Sequence, residues 1–132
     1  MKWKTVAVGG AVLFIAGFLS GFIPEYLEAS KLAKQLQSVE LQSRLREIRE
    51  LASLSYIDAS KMNYGSAAED SEGMFNVAKE VANDTKDDDL RNSLTGLLAF
   101  HDAVKGKLSA GDASVLEPLQ QIVQKTQTEL KR

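Results

Sequence analysis

The sequence predicts an all-α protein, and three features of its 132 residues lead to that class. Residues 6–23 form an uncharged apolar stretch of helix length. Further along, apolar residues recur at spacings of three and four, as they do on one side of an α-helix. The chain has only two prolines and no runs of β-branched residues, which disfavours a sheet. We therefore expect a single N-terminal transmembrane helix, a long amphipathic stalk helix and a small antiparallel bundle of about four helices.

The stretch from Val6 to Ile23 is typical of a membrane span. Its 18 residues would form a helix of ~27 Å, close to the thickness of a bilayer's hydrocarbon core. A cleaved signal peptide is the alternative, because Lys2 and Lys4 supply the positive start that both classes share. The length of the run favours an uncleaved anchor, as does the lack of a good small-x-small cleavage site after it.

The charges beside the stretch predict its orientation. Lys2 and Lys4 precede it, whereas Glu25 and Glu28 follow it before the next lysine. Lysine and arginine are retained on the cytoplasmic side of a membrane. We therefore expect a protein of the bacterial inner membrane, with a cytoplasmic N-terminus and a periplasmic body, and the lipid bilayer as its first partner.

The rest of the chain divides into a stalk and a bundle. Pro24 interrupts backbone hydrogen bonding at the membrane boundary. No glycine or proline then occurs from residue 25 to residue 62, so one helix could extend for ~55 Å, more than a small bundle would cover. The predicted organisation is an N-terminus and anchor at 1–24, an amphipathic stalk at 25–44 and a helical bundle at 45–132.

Turn and capping residues predict where the bundle helices begin and end. Gly65 is free to adopt the left-handed conformation that ends a helix. Ser66 to Glu69 has the pattern of a capping box, and so does Thr85 to Asp88. Gly73, in the middle of the second helix, is small enough for a close helix crossing. The last helix begins either at a box from Ser114 to Glu117 or with Pro118 as its first residue, and the sequence does not decide between them.

The third helix, from about Asp87, carries the clearest buried stripe of the body. Its apolar positions follow the three–four spacing of a core face: Leu90, Leu94, Leu97, Leu98, His101, Val104 and Leu108. On the first helix, Arg46 and Arg49 have the positions of solvated residues.

Two features before the bundle predict self-association. Gly17 and Gly21 have the spacing that lets two membrane helices approach closely. Beyond the anchor, Leu32, Leu36 and Val39 form a narrow apolar seam at spacings of four and three. We expect a parallel homodimer through these five residues.

Acidic residues are concentrated between positions 63 and 89. They predict either a docking face for a basic protein partner or charge complementarity with the first helix, and the sequence alone does not separate the two. The candidate docking residues are Glu69, Asp70, Glu72, Asp87 and Asp88.

No catalytic or ligand-binding set is evident in the sequence. The chain has no cysteine and one histidine, His101, whose place on the leucine stripe is typical of a core or boundary residue. We expect no enzymatic activity, no cofactor and no metal site. The net charge of the chain is −2. Because Lys2 and Lys4 lie before the membrane stretch, the body that follows it is more acidic than the chain as a whole. An acidic body argues against a nucleic-acid partner.

Two functions fit these features. The first is a single-pass scaffold or interaction protein of the cell envelope that binds other proteins through its extracytoplasmic bundle. The alternative is a bundle that senses a small molecule and acts with a separate transducer subunit, because only a few residues precede the span. A small molecule bound to the purified body would favour the alternative.

Overall fold

The computed structural model describes the backbone of residues 2–131 and the side chains of residues 27–131. Within this part of the chain there are helices and no strands, which confirms the all-α class. A short 3₁₀ turn, Ala113–Val115, precedes the last helix. The helices are α1 (Lys2–Ser60), α2 (Tyr64–Asp84), α3 (Asp88–Leu98), α4 (His101–Ser109) and α5 (Leu116–Glu129).

The predicted membrane span lies outside the residues whose side chains are described, and so do Gly17 and Gly21. Among the described residues, no helix contains a segment both long enough and apolar enough to cross a membrane. The chain separates into two compact units, Met1–Val39 and Glu40–Arg132. The predicted division at 24/25 and 44/45 stays a prediction.

The second unit is a helical bundle. Its helices are joined by connections of a few residues, and the connection between α3 and α4 is only Ala99 and Phe100, whose backbone stays right-handed. The helix α2 packs against both α3 and α4, and α5 contacts α3 and the 3₁₀ turn. Between α1 and α2, the Ser55 hydroxyl donates a 2.9 Å hydrogen bond to the carbonyl oxygen of Ala67.

Each helix contributes buried apolar side chains to one core. Because the same helices carry exposed polar residues on their other sides, the bundle follows the amphipathic pattern of the sequence. Ser55 and Thr126 are buried as well, and both hydroxyls donate to backbone carbonyls. The largest fully buried side chains include Leu45, Ile48, Met74, Leu90, Leu94, Leu97, Val104, Val115, Leu119 and Ile122.

The stripe predicted for the third helix is confirmed at five positions, but it lies on two helices. Leu90, Leu94 and Leu97 are buried on α3, and Val104 and Leu108 are buried on α4, whereas Leu98 and His101 are half-buried. A tighter turn separates α3 from α4. There the Phe100 N–H donates to the Leu97 carbonyl, three residues earlier, rather than to the carbonyl four residues earlier as in a regular α-helix. Such an i→i+3 bond is typical of a helix end, and the spacing of apolar residues does not reveal it.

The predicted capping boxes are wrong in detail. The helix α2 begins at Tyr64, so Ser66 lies inside it, and its N-cap, Asn63, makes no side-chain capping bond. At α3 the N-cap is Asp87, whose carboxylate accepts from the Leu90 N–H at 3.1 Å. The hydroxyl of Thr85 instead accepts from the Asp87 N–H at 3.2 Å.

Neither predicted start of the last helix is correct. The Asp112 carboxylate accepts a 2.9 Å hydrogen bond from the Ser114 N–H and caps the 3₁₀ turn. This contact, through both backbone and side chain of Ser114, lowers the pKa of Asp112. The helix α5 then begins at Leu116, which places Pro118 in its first turn, where a missing N–H costs nothing.

The end of α1 is formed by Met62 rather than by Gly65. Met62 has a φ of +62°. The Asn63 N–H bonds to the Asp58 carbonyl at 2.8 Å, and the Met62 N–H bonds to the Ala59 carbonyl at 3.0 Å. These two bonds are those of a Schellman motif, in which glycine usually takes the left-handed position. The prediction that Gly65 caps α1 is therefore wrong, because Gly65 lies within α2.

Met62→Gly is expected to stabilise the bundle. A left-handed residue with a Cβ costs about 1–2 kcal/mol, and the extra freedom of glycine in the unfolded chain offsets part of the gain. We expect a net increase of about 0.5–1 kcal/mol in the free energy of unfolding, measured by urea denaturation of the full chain.

The control is Lys79→Gly, at an exposed position within α2. Glycine there should destabilise the bundle by about 0.5–1 kcal/mol, because the backbone is right-handed. Equal destabilisation by both variants would contradict the assignment of Met62 to the left-handed position.

Candidate functional site

The predicted apolar seam is exposed along α1. Leu32, Leu36 and Val39 keep 60%, 66% and 65% of their surface accessible, and all three lie in the first compact unit. Leu27 is 54% exposed, but five residues of helix rotate it by about 140° from Leu32, onto another side. The seam is therefore a narrow line of three large apolar side chains in contact with solvent.

The five candidate acidic residues lie in two groups. Glu69, Asp70 and Glu72 occupy the first turns of α2, whereas Asp87 and Asp88 lie at the start of α3, beyond the other end of α2. The 12 helical residues 73–84 lie between the two groups, which corresponds to ~18 Å. The five residues therefore do not form one continuous face, and their docking role stays a prediction.

Several of these acidic residues already have partners within the bundle. Glu72 contacts His101 at 3.1 Å, and Asp88 forms an ion pair with Arg91 at 3.0 Å. Asp87 caps α3. A basic partner would have to compete with these contacts.

Among the side chains that the structure describes, Arg44 on α1 provides charge complementarity with α2. Its guanidinium lies 3.1 Å from Glu40, one turn earlier on α1, and 3.3 Å from Glu80 on α2. The carboxylate of Asp84 is 3.9 Å away. Surface ion pairs contribute little individually, and they matter more when several charges form a network, as they do around this guanidinium. The acidic end of α2 therefore faces basic charge on α1 at this position.

Asp70 meets an acidic neighbour across the α1–α2 contact. Burial raises the pKa of Asp70 above its ordinary value, and a hydrogen bond to the Asp58 carboxyl raises this pKa further. The negative charges of Asp58 and Glu69 act in the same direction. At neutral pH this part of the acidic group is therefore mutually repulsive, because like charges lie close together.

His101 connects α4 to α2. Its Nε2 lies 3.1 Å from Glu72, its Nδ1 lies 3.3 Å from Asp102, and its ring meets the Phe75 ring edge-on at 4.9 Å between centroids. The two ring nitrogens point in different directions, so the two carboxylates cannot join His101 around a single ion. Among the residues with described side chains, no group of three His, Cys, Asp or Glu could hold a metal.

The structure also contains a groove that sequence reasoning missed. It has a volume of about 480 Å³ and lies between α1 and α5. The α1 residues are spaced at 0, 3, 4, 7 and 8 positions, which places them on one side of the helix. The spacing of these α1 residues is visible in the sequence. The packing of α5 beside them is not. The lining residues are Arg46, Arg49, Glu50, Ser53, Leu54 and Gln127.

Comparison with known proteins provides no functional assignment. No protein-family model, no curated protein and no solved structure matches the chain. The functional argument therefore depends on the residues and on the geometry of the described side chains.

Asp70→Asn is expected to raise the melting temperature at pH 7. Because the pKa of Asp70 is raised in the folded state, the stability linked to its proton is fully present below the ordinary value of 3.8 and is lost as pH rises through the folded value. Asparagine carries no charge, so its advantage should be greatest near pH 7 and should shrink toward pH 3.5. Thermal melts followed by circular dichroism at both pH values measure this.

Asp89→Asn, in the first turn of α3, is the control. It removes a favourable charge from a helix N-terminus and should lower the melting temperature at pH 7. A lower melting temperature for Asp70→Asn at pH 7 would show that the repulsion at Asp58 is not significant.

Proposed function

We propose that this chain is a single-pass, membrane-anchored interaction protein of the cell envelope. Residues 6–23 anchor it, residues 25–44 form a stalk that pairs with a second copy, and the bundle of residues 45–132 binds another protein outside the cytoplasm. The observation that carries the proposal is the exposed seam of Leu32, Leu36 and Val39 on α1.

The seam supports a pairing role because large apolar side chains in water favour association. Burying each such side chain contributes about 1.5–3 kcal/mol relative to leaving it exposed. The spacings of four and three match the a and d positions of a coiled coil, where residues of two helices interlock. A parallel pairing also brings the two Gly17-x-x-x-Gly21 segments together, at the spacing used by close-packed membrane helices.

The bundle is suited to the presentation of a surface rather than to pairing through its core. The apolar residues of its core are already buried against one another. Among the described residues, no buried side-chain nitrogen or oxygen lacks a hydrogen-bond partner. The bundle would therefore stay folded while its outer faces meet a partner.

Exported reporters are expected to confirm the proposed topology. Alkaline phosphatase fused after Arg132 should be active, because Lys2 and Lys4 retain the N-terminus in the cytoplasm. Fluorescent protein at the same position should be dark if it is exported unfolded. An inactive phosphatase together with a bright fluorescent fusion would reverse the orientation.

Leu36→Glu is expected to weaken self-association, because it places two carboxylates opposite each other in the seam. Gly17→Ile with Gly21→Ile should weaken it as well, because bulky side chains prevent close approach of the anchors. A membrane two-hybrid assay and light scattering in mild detergent measure both effects.

Gln37→Glu is the matched control, because it introduces the same charge at an exposed α1 position on a different side of the helix. It should leave self-association unchanged. A wild-type chain that is monomeric in detergent and silent in the membrane assay would contradict the proposed homodimer.

A further inference from the structure

We propose that the groove between α1 and α5 is the docking site for an acidic amphipathic helix of a partner protein. This inference rests on the proposed function, because it names the chemistry of the partner that the bundle binds. The partner's carboxylates would meet Arg46 and Arg49, and its apolar side chains would pack on Leu54.

The first argument is the state of the two arginines. In the described part of the chain, Arg44, Arg91 and Lys125 each form ion pairs with carboxylates. Arg46 and Arg49 take part in no ion pair within 4.0 Å among the same residues. Both arginines line one open groove, and a guanidinium without an internal partner can donate to carboxylates from outside.

The second argument is the local balance of charge. Glu50 is the single acidic residue among those that line the groove. The α5 side adds no further acid, since Gln127 and the exposed Gln120 and Gln124 share one side of that helix. With two arginines and one glutamate, the lining of the groove has a net charge of +1, on a protein whose net charge is −2. A basic partner would be repelled at the groove, whereas an acidic partner would be attracted to it.

The third argument is the apolar end of the groove. Leu54 is 48% exposed, and Ile57, one turn further along α1, is 43% exposed. From Arg46 to Leu54 the groove follows α1 for about 12 Å, or roughly two helical turns. A basic end, an apolar end and this length suit an amphipathic helix that anchors at i, i+3, i+4 and i+7.

The test uses the full chain in mild detergent and two fluorescent helical peptides of about five turns each. The acidic peptide has leucines along one side and glutamates on both flanks, and the basic peptide has lysines in place of the glutamates. Fluorescence anisotropy should show that the acidic peptide binds and that the basic peptide does not. Arg46→Glu with Arg49→Glu should weaken binding by about tenfold or more, since charge-assisted contacts are lost and repulsion is gained.

The matched control is Lys79→Glu with Lys105→Glu, which changes the net charge equally at two exposed positions outside the groove. It should alter binding less than about twofold at physiological ionic strength, where distant surface charges are screened. Leu54→Ser should weaken binding without any change of charge. Absence of binding, equal binding of both peptides, or an equal loss in the control would overturn the inference.

The experiment also distinguishes two other possible occupants of the groove, a second copy of the chain and a lipid surface. If the groove variant abolishes the dimer in light scattering, the groove is covered by a second copy and the inference fails. If the groove variant instead loses binding to phosphatidylglycerol vesicles without any effect on the peptide, a lipid surface occupies the groove and the inference fails as well. Failure of the proposed function appears elsewhere, in the topology of the chain and in the response to Leu36→Glu.

Discussion

The bundle depends on the close approach of α1 and α2. Small residues are buried on one side of α1, namely Ala52, Ser55 and Ala59. Ser55 contacts the buried Ala67 of α2 through a hydrogen bond to its carbonyl oxygen. A Cβ at Gly73 would lie 3.4 Å from the Leu51 side chain, which is ordinary contact. A polar side chain buried between two helices loses its contact with water and needs a hydrogen-bond partner there. The Ser55 hydroxyl has this partner in the Ala67 carbonyl.

The charges along the contact between α1 and α2 differ from one end to the other. At one end of α2, Arg44 reaches the carboxylates of Glu80 and Asp84, so the contact is favourable. Nearer the start of α2, burial raises the pKa of Asp70, and the opposing Asp58 raises this pKa further. The same pair of helices therefore combines attraction at one end with repulsion at the other. Acidic residues that are close in sequence therefore differ in their effect: Glu80 and Asp84 attract α1, whereas Asp70 is repelled by it.

Two apolar stripes have the same residue spacing, but one is buried and the other is exposed. Leu90, Leu94 and Leu97 are buried because α2 and α5 lie against α3. Leu32, Leu36 and Val39 have an equivalent periodicity, yet they are exposed. Periodicity indicates that one side of a helix is apolar, but it does not indicate whether the chain itself will cover that side. In the proposed homodimer, a second copy of the chain covers Leu32, Leu36 and Val39.

The sequence alone determined the helical class, most of the buried positions of the third-helix stripe and the approximate start of α3, because these follow from local spacing and from the polar residues that precede a helix. It placed the cap of α3 at Thr85, whereas the Asp87 carboxylate forms the capping bond. It did not determine that Met62 takes the left-handed position at the end of α1, since the hydrogen bonds to Asp58 and Ala59 select the conformation. It also did not separate α3 from α4. The groove at Arg46 and Arg49 was decided by the tertiary structure alone, because it requires Gln127 to lie beside α1. These features depend on how backbone groups pair at helix ends and on which helices become neighbours, neither of which residue spacing specifies.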